Sequence, residues 1–179
     1  MIRLEISTAN AETFFQLVQD TLEPRVLLAL IGARFLSYAD ESFRTNGRGK
    51  WKPLSQLTLL LRKHGGNQPL QDSGRYKQSF VQVSDHQTYV EVGTNLKTGT
   101  GLSLGRIHEF GTGPYTIRAQ KAHGLAAQTR AGAWLHFGKE VRHPGIPARP
   151  VLPPKAVAER LAKETLEAIL SRVQASKGG

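Results

Sequence analysis

The chain has 179 residues, 39% of them hydrophobic, and a net charge of +10. It is long enough to bury a core as one domain, and its charge attracts polyanions, whether nucleic acid or the acidic face of another protein. The absence of cysteine excludes a disulfide scaffold and any thiolate metal site and fits a reducing cytoplasm.

"MIRLEIS" alternates apolar and polar residues, which predicts an opening strand with Ile2, Leu4 and Ile6 on one face. It carries Arg3 and Glu5 where an export signal needs an apolar block, so no signal peptide is expected. Asn10 is placed to cap a short helix bearing Phe14, Phe15, Leu17 and Val18. Pro24 suits the first turn of a second helix, with Leu27, Leu28, Ile31, Phe35, Tyr38 and Ala39 at helical spacing up to about Phe43. The longest apolar run, "VLLALIG" at 26–32, falls well short of the ~20 residues of a membrane-spanning helix. "RTNGRGK" at 44–50 is a basic turn, and Ser55 caps a third helix through "LTLLLRK", stopped at Gly65 and Gly66.

From residue 79 the period changes to two. "SFVQVS" and "TYVEVG" predict a hairpin, with Phe80, Val81, Val83, Val90 and Val92 supplying buried positions. "GTNLKTGTGLSLG" is a loop, leading toward a strand. "RIHEFG" ends in a glycine turn, with Phe110 buried, Gly111 at positive φ, and His108 and Glu109 at a strand end. "YTIRA" and "WLHFGKEVRH" are two further strands, joined by a small-residue polar stretch that makes a mobile arm at about 119–133. The strip "HPGIPARPVLPP" at 143–154 holds five prolines. Each fixes its own φ and biases the preceding residue to extended geometry, so a stiff, poorly hydrogen-bonded segment is expected. Val157, Leu161, Ala162, Leu166, Ile169, Leu170 and Val173 mark an amphipathic closing helix, its start stiffened by Pro153 and Pro154 and its tail, 175–179, fraying. The expected fold is a single α+β domain over 1–179: N-terminal helices, a central antiparallel β-sheet with a long hairpin arm, and a C-terminal amphipathic helix.

Reactive chemistry has little to stand on. No phosphate-binding glycine motif is present: there is no G-x-x-x-x-G-K-[ST], and "GTGLSL" lacks the third glycine of G-x-G-x-x-G. Six histidines stand singly, without metal-ligand spacing, and no serine lies in G-x-S-x-G. His108-Glu109 is the one adjacent histidine/acid pair, and as strand neighbours the two would point to opposite faces. No catalytic residue, cofactor or metal is expected.

Five stretches occur in a familiar order: "GKWKPLSQLTLLLRK", "LQDSGRYKQSF", "YVEVGTN", "RIHEFG" and "HPGIPARPVL". Over about residues 48–153 the chain resembles the bacteriophage virion morphogenesis proteins, the tail-completion, tail-terminator and head-tail joining proteins of Mu-like and P2-like phages. It departs from their pattern at Val151, where an aromatic often follows "RP", and at "LSLGR", where a tyrosine-alanine pair often precedes "HEFG". The resemblance implies a non-enzymatic virion component assembled in the host cytoplasm. It implies a homo-oligomeric ring, usually of six subunits, between the tail tube protein and the head connector and neck proteins. Genome DNA would pass through without sequence-specific binding, and no membrane is involved.

Ring closure needs one patch to meet a different patch on the next copy. Candidate interface residues are Arg106, His108 and Glu109 near "RIHEFG", Arg118, Lys121 and Arg130 along the arm, and Ile146, Pro147, Arg149 and Pro150 in the strip. Arg149, held between Pro147 and Pro150, would offer its planar fork to a carboxylate of the next subunit; a strip that only aims the last helix is the alternative. Trp51 is read as a core aromatic whose N–H finds a carbonyl, or else as a partner contact. Asp72 would cap a short turn relieved by Gly74. The rival function is non-specific nucleic-acid binding, motivated by eight Lys or Arg against two Glu over 96–150.

Overall fold

Pro24 opens the first helix, α1 (Pro24–Arg44), where its missing N–H costs nothing. The computed structural model describes residues 23–83, 89–120 and 123–177; the expected opening strand and the helix after Asn10 lie outside them. The remaining elements are α2 (Gln56–Leu61), α3 (Arg75–Gln78), β1 (Phe80–Val83), β2 (Glu91–Thr94), α4 (Leu104–Phe110), β3 (Tyr115–Arg118), β4 (Leu125–Gln128), β5 (Trp134–Gly138), β6 (Glu140–His143) and α5 (Lys155–Lys177). The composition is mixed α+β, with helices at 24–44 and 155–177 bracketing the antiparallel strands. Among the described residues three two-stranded ladders, β1-β2, β3-β6 and β4-β5, take the place of one central sheet.

The chain forms two compact units. The first holds α1 up to Asp40, the β1-β2 hairpin and the chain from Leu152 onward. Leu27, Ile31 and Phe35 recur every fourth residue along α1 and are buried with Val90 and Val92 of the hairpin and Ala158, Leu161 and Ala162 of α5. This matches the helical and strand periodicities of the sequence. The β1 face is corrected. Phe80 and Gln82 lie opposite Thr94 and Val92, so they share the inner face, while Val81 is 44% exposed. A glutamine is tolerated there because its Nε2 donates to the Ala29 carbonyl at 3.0 Å and its amide fills the space beside Gly32. Helix α5 begins after Pro153-Pro154, whose second carbonyl accepts from Val157 and Ala158, each at 2.9 Å. Ion pairs such as Lys155–Glu159 lie on its outer face.

The second unit comprises residues 41–79 and 96–151. Ser55 caps α2 as expected, accepting from the Thr58 N–H at 3.1 Å, but the helix stops at Leu61 with Arg62 as its C-cap. The glycine-rich loop closes on itself through the Lys97–Ser103 bridge and leads into a helix, not a strand. "RIHEF" is the body of α4, so His108 and Glu109 sit at no sheet edge. Phe110, expected in the core, is 71% exposed on its last turn.

The stretch read as an arm joining two strands itself carries β4, paired antiparallel with β5. A turn closed by the Thr129 N–H to the Ala133 carbonyl at 2.8 Å, with Gly132 at φ 88°, makes that pairing local. Below it β3 pairs with β6, with Tyr115 opposite His143 and Arg118 opposite Glu140. The two ladders form one nested hairpin, interrupted at Gly124 and Gly138, whose backbones approach so closely that a Cβ on Gly124 would lie 2.7 Å from the Gly138 carbonyl oxygen.

Phe35 lies at the centre of the first unit's core. Phe35→Ala is expected to destabilise that core by about 3–5 kcal/mol, measured by denaturant unfolding; a loss under about 1 kcal/mol would mean that the packing is not as described.

Candidate functional site

The proline strip crosses the C-terminal end of α4. A helix end leaves carbonyls without intrahelical donors, and the strip supplies one: the Arg149 N–H donates to the His108 carbonyl at 2.6 Å. One residue further along α4, Glu109 Oε1 accepts from the Val151 N–H at 2.8 Å. Beyond the helix, Thr112 and Ile146 are joined twice. The Thr112 N–H donates to the Ile146 carbonyl at 2.8 Å, and the Ile146 N–H donates to Thr112 Oγ1 at 2.9 Å. Gly111 makes the crossing possible. It holds φ 71°, and a Cβ there would lie 2.6 Å from the Ile146 oxygen and 2.8 Å from the Ala148 nitrogen. The strip is therefore well hydrogen-bonded, contrary to expectation. Its proline spacing leaves N–H groups at the positions that meet α4 and Thr112.

The strip's other side is held by the last turn of α1 and the segment after it. Trp51 Nε1 donates to the Pro150 carbonyl at 3.0 Å, and Ser42 Oγ donates to the Val151 carbonyl at 3.0 Å. Beneath them, Trp51 and Tyr76 each meet Phe43 edge-on with ring centroids 5.9 Å apart, and Tyr76 meets His108 at 4.8 Å. Arg149 is only 6% exposed. Its Nε and Nη2 donate to the Lys52 carbonyl at 3.1 and 2.9 Å. Its fork is thus turned into its own unit rather than outward.

A cleft of about 640 Å³ opens beside the strip, lined by Lys52, Arg62, Asp72, His108, His143 and Arg149 among others. Arg62 is 7% exposed; its Nε reaches Asp72 Oδ1 at 3.3 Å and its Nη1 donates to the Gln68 carbonyl at 2.8 Å. Asp72 also accepts from the His64 N–H at 3.1 Å. Its carboxylate therefore ties back to the end of α2, while Gly74, at φ 73°, starts α3 without a side-chain cap. Burial, reinforced by the Arg149 charge, lowers the His108 pKa to about 4. Its Nδ1 has no hydrogen-bond partner among the described residues. Burial, then the Glu109 charge, raises the Tyr76 pKa. Glu109 holds the strip, and His108 packs against the Tyr76 ring. Among the described residues no group of three or more histidines and carboxylates is placed to hold a metal ion, and no helix is long and apolar enough to cross a membrane.

The model of the phage virion morphogenesis family matches residues 7–174. The chain belongs to that family. No curated protein and no solved structure matches it. Membership makes the chain a bacteriophage virion component, and four of the five stretches that carry the resemblance meet in the second unit. Trp51 and the Lys52 carbonyl come from the first, Tyr76 and Asp72 from the second, His108 to Gly111 from the fourth and Arg149 to Val151 from the fifth.

Of the other candidate interface residues in this family member, Arg106 is exposed on α4. Arg118 is exposed and pairs with Glu140 across its own ladder at 2.9 Å, a contact worth roughly 0–1 kcal/mol. Arg130, at the arm's tip, is exposed, and its N–H donates to the Leu60 carbonyl at 3.1 Å. Pro150 is exposed and Ile146 and Pro147 are half-buried; Lys121 lies outside the described residues. Sequence reasoning missed Arg62 and Ser42. For Arg62 a signal existed: an arginine directly after "LTLLL", with Asp72 ten positions on.

A histidine whose folded pKa lies below its ordinary 6.5 takes up its proton more readily in the unfolded chain. His108 therefore favours folding fully above pH 6.5, and that contribution is lost as pH falls toward about 4. The melting temperature is expected to fall across this window, and less steeply in His108→Asn; parallel curves for the two proteins would contradict the assignment.

Proposed function

We propose that the chain is a structural, non-enzymatic tail-completion subunit that closes into a ring of six copies where the tail tube meets the head connector. The observation that carries this reading is the arm. Among the described residues its two ladders have two strands each, leaving outer edges open to a further strand. It also displays Trp134 at 61% exposure, with Tyr115 and Ile117 exposed below. A soluble monomer gains nothing from an apolar, edge-bearing hairpin; a subunit that adds it to a neighbour buries both liabilities. Head-to-tail closure then sets the arm and the exposed side of the strip, Ala148 and Pro150, against a different patch of the next copy. Arg106, Arg118 and Arg130 supply charge around these surfaces. The tail tube protein and the neck proteins are the partners above and below, and the net charge of +10 suits a ring through which DNA passes without being read.

The same charge supports a second reading, non-specific nucleic-acid binding. Native mass measurement at low and high salt separates the two. The ring predicts an assembly of about six times the 19.7 kDa chain mass that persists in high salt. Trp134→Lys combined with Ile117→Lys should return it to single chains with unchanged circular dichroism. A wild-type chain of single mass that holds duplex DNA at low salt and releases it steeply with added salt would overturn the ring.

A further inference from the structure

Two arginines line the cleft beside the strip, and both are more than nine-tenths buried: Arg62 at 7% and Arg149 at 6% exposure. Each has spent only part of its guanidinium. Arg62 uses Nε and Nη1, and Arg149 uses Nε and Nη2. Arg62 Nη2 and Arg149 Nη1 make no hydrogen bond among the described residues. Lys52 stands at the same cleft with its side chain exposed, and Asp72 is the one carboxylate among the lining residues. The recess thus sets three cations against one anion, and two of those cations are planar forks that keep N–H groups without a partner among the described residues.

We infer that this cleft is a docking site for an extended, carboxylate-bearing segment of a different, acidic protein, whose side-chain carboxylates reach down to the free edges of Arg62 and Arg149 while Lys52 holds the rim. The occupant is set by local charge, since Lys52, Arg62 and Arg149 line the cleft against the single carboxylate of Asp72. Nucleic acid fits less well. The lining holds no Phe, Tyr or Trp on which a base would stack, and the guanidiniums lie below the surface, where a carboxylate on its stem reaches and the phosphates of a duplex cylinder do not. Planar forks with parallel N–H groups match carboxylates in geometry as well as charge. The strip forming one wall is stiffened by Pro144 and Pro147, so little order is lost on docking.

The inference rests on the chain acting through contacts with other proteins, but not on the ring, since the cleft lies within one unit of one chain. The test uses the full chain and a fluorescent hexaglutamate peptide, blocked at both ends, followed by fluorescence anisotropy. Lys52→Glu should weaken binding about tenfold, whereas Lys97→Glu, an equal charge change outside the cleft, should cost less than about threefold. In nitrogen-15 spectra the Nε–H signals of Arg62 and Arg149 should shift as peptide is added. Equal losses in the two variants, unshifted arginine signals, or no binding would each overturn the inference. Duplex DNA that binds with the same dependence on Lys52 would overturn it in favour of nucleic acid. A chain of single mass that still takes the peptide at Lys52 would sink the ring and leave the cleft standing.

Discussion

The second unit depends on one exchange of hydrogen bonds: an extended proline-spaced strip donates its few N–H groups to the end of a short helix. Seven residues are too few for a helix to be stable by propensity alone, so α4 needs outside support. It receives it from the Arg149 N–H at its terminal carbonyl and the Val151 N–H at its Glu109 carboxylate. The strip, in turn, has no sheet to join, since Pro144, Pro147 and Pro150 remove every third donor. Each satisfies the other's orphaned groups, and leaving one of these buried groups unmade would cost about 1–3 kcal/mol. From that crossing the rest follows: Gly111 must lack a side chain, Trp51 and Ser42 find carbonyls on the strip's far side, and Arg149 is drawn inward to Lys52.

Long-period features were legible in the sequence. The helix from Pro24, the Ser55 cap, the hairpin around 80–94 and the closing helix all have enough repeats, or a strong enough cap, to be read. Short features were not. "RIHEF" has an apolar residue at its second and fifth positions, a spacing that suits one helical turn but is too brief to exclude a strand. Its glycine neighbours read equally well as turns. "LAAQ" has weak strand propensity and becomes β4 only because "WLHF" lies opposite it across a five-residue turn. Gln82 defeated the burial pattern because its amide finds a helix carbonyl, a partner that alternation of apolar and polar cannot reveal.

The candidate site shows the same division. That Arg149, Glu109 and Trp51 matter was legible from the resemblance and from the proline spacing around Arg149. What they touch was not, because each partner lies 42 to 99 positions away in the chain. A guanidinium between two prolines looks equally ready for a neighbouring subunit and for a carbonyl of its own chain. In the fold the carbonyl of Lys52 takes it. Residues from four of the five stretches thus form one packed polar junction in the second unit.

Amide hydrogen exchange tests the crossing most directly, because it reads the individual donors. The N–H groups of Arg149 and Val151 are predicted to exchange as slowly as that of Gly111, which closes the end of α4. If the two strip amides exchanged as fast as those of the exposed loop at Gly99 while Gly111 stayed protected, the strip would not be holding the helix, and the account of the second unit would be wrong.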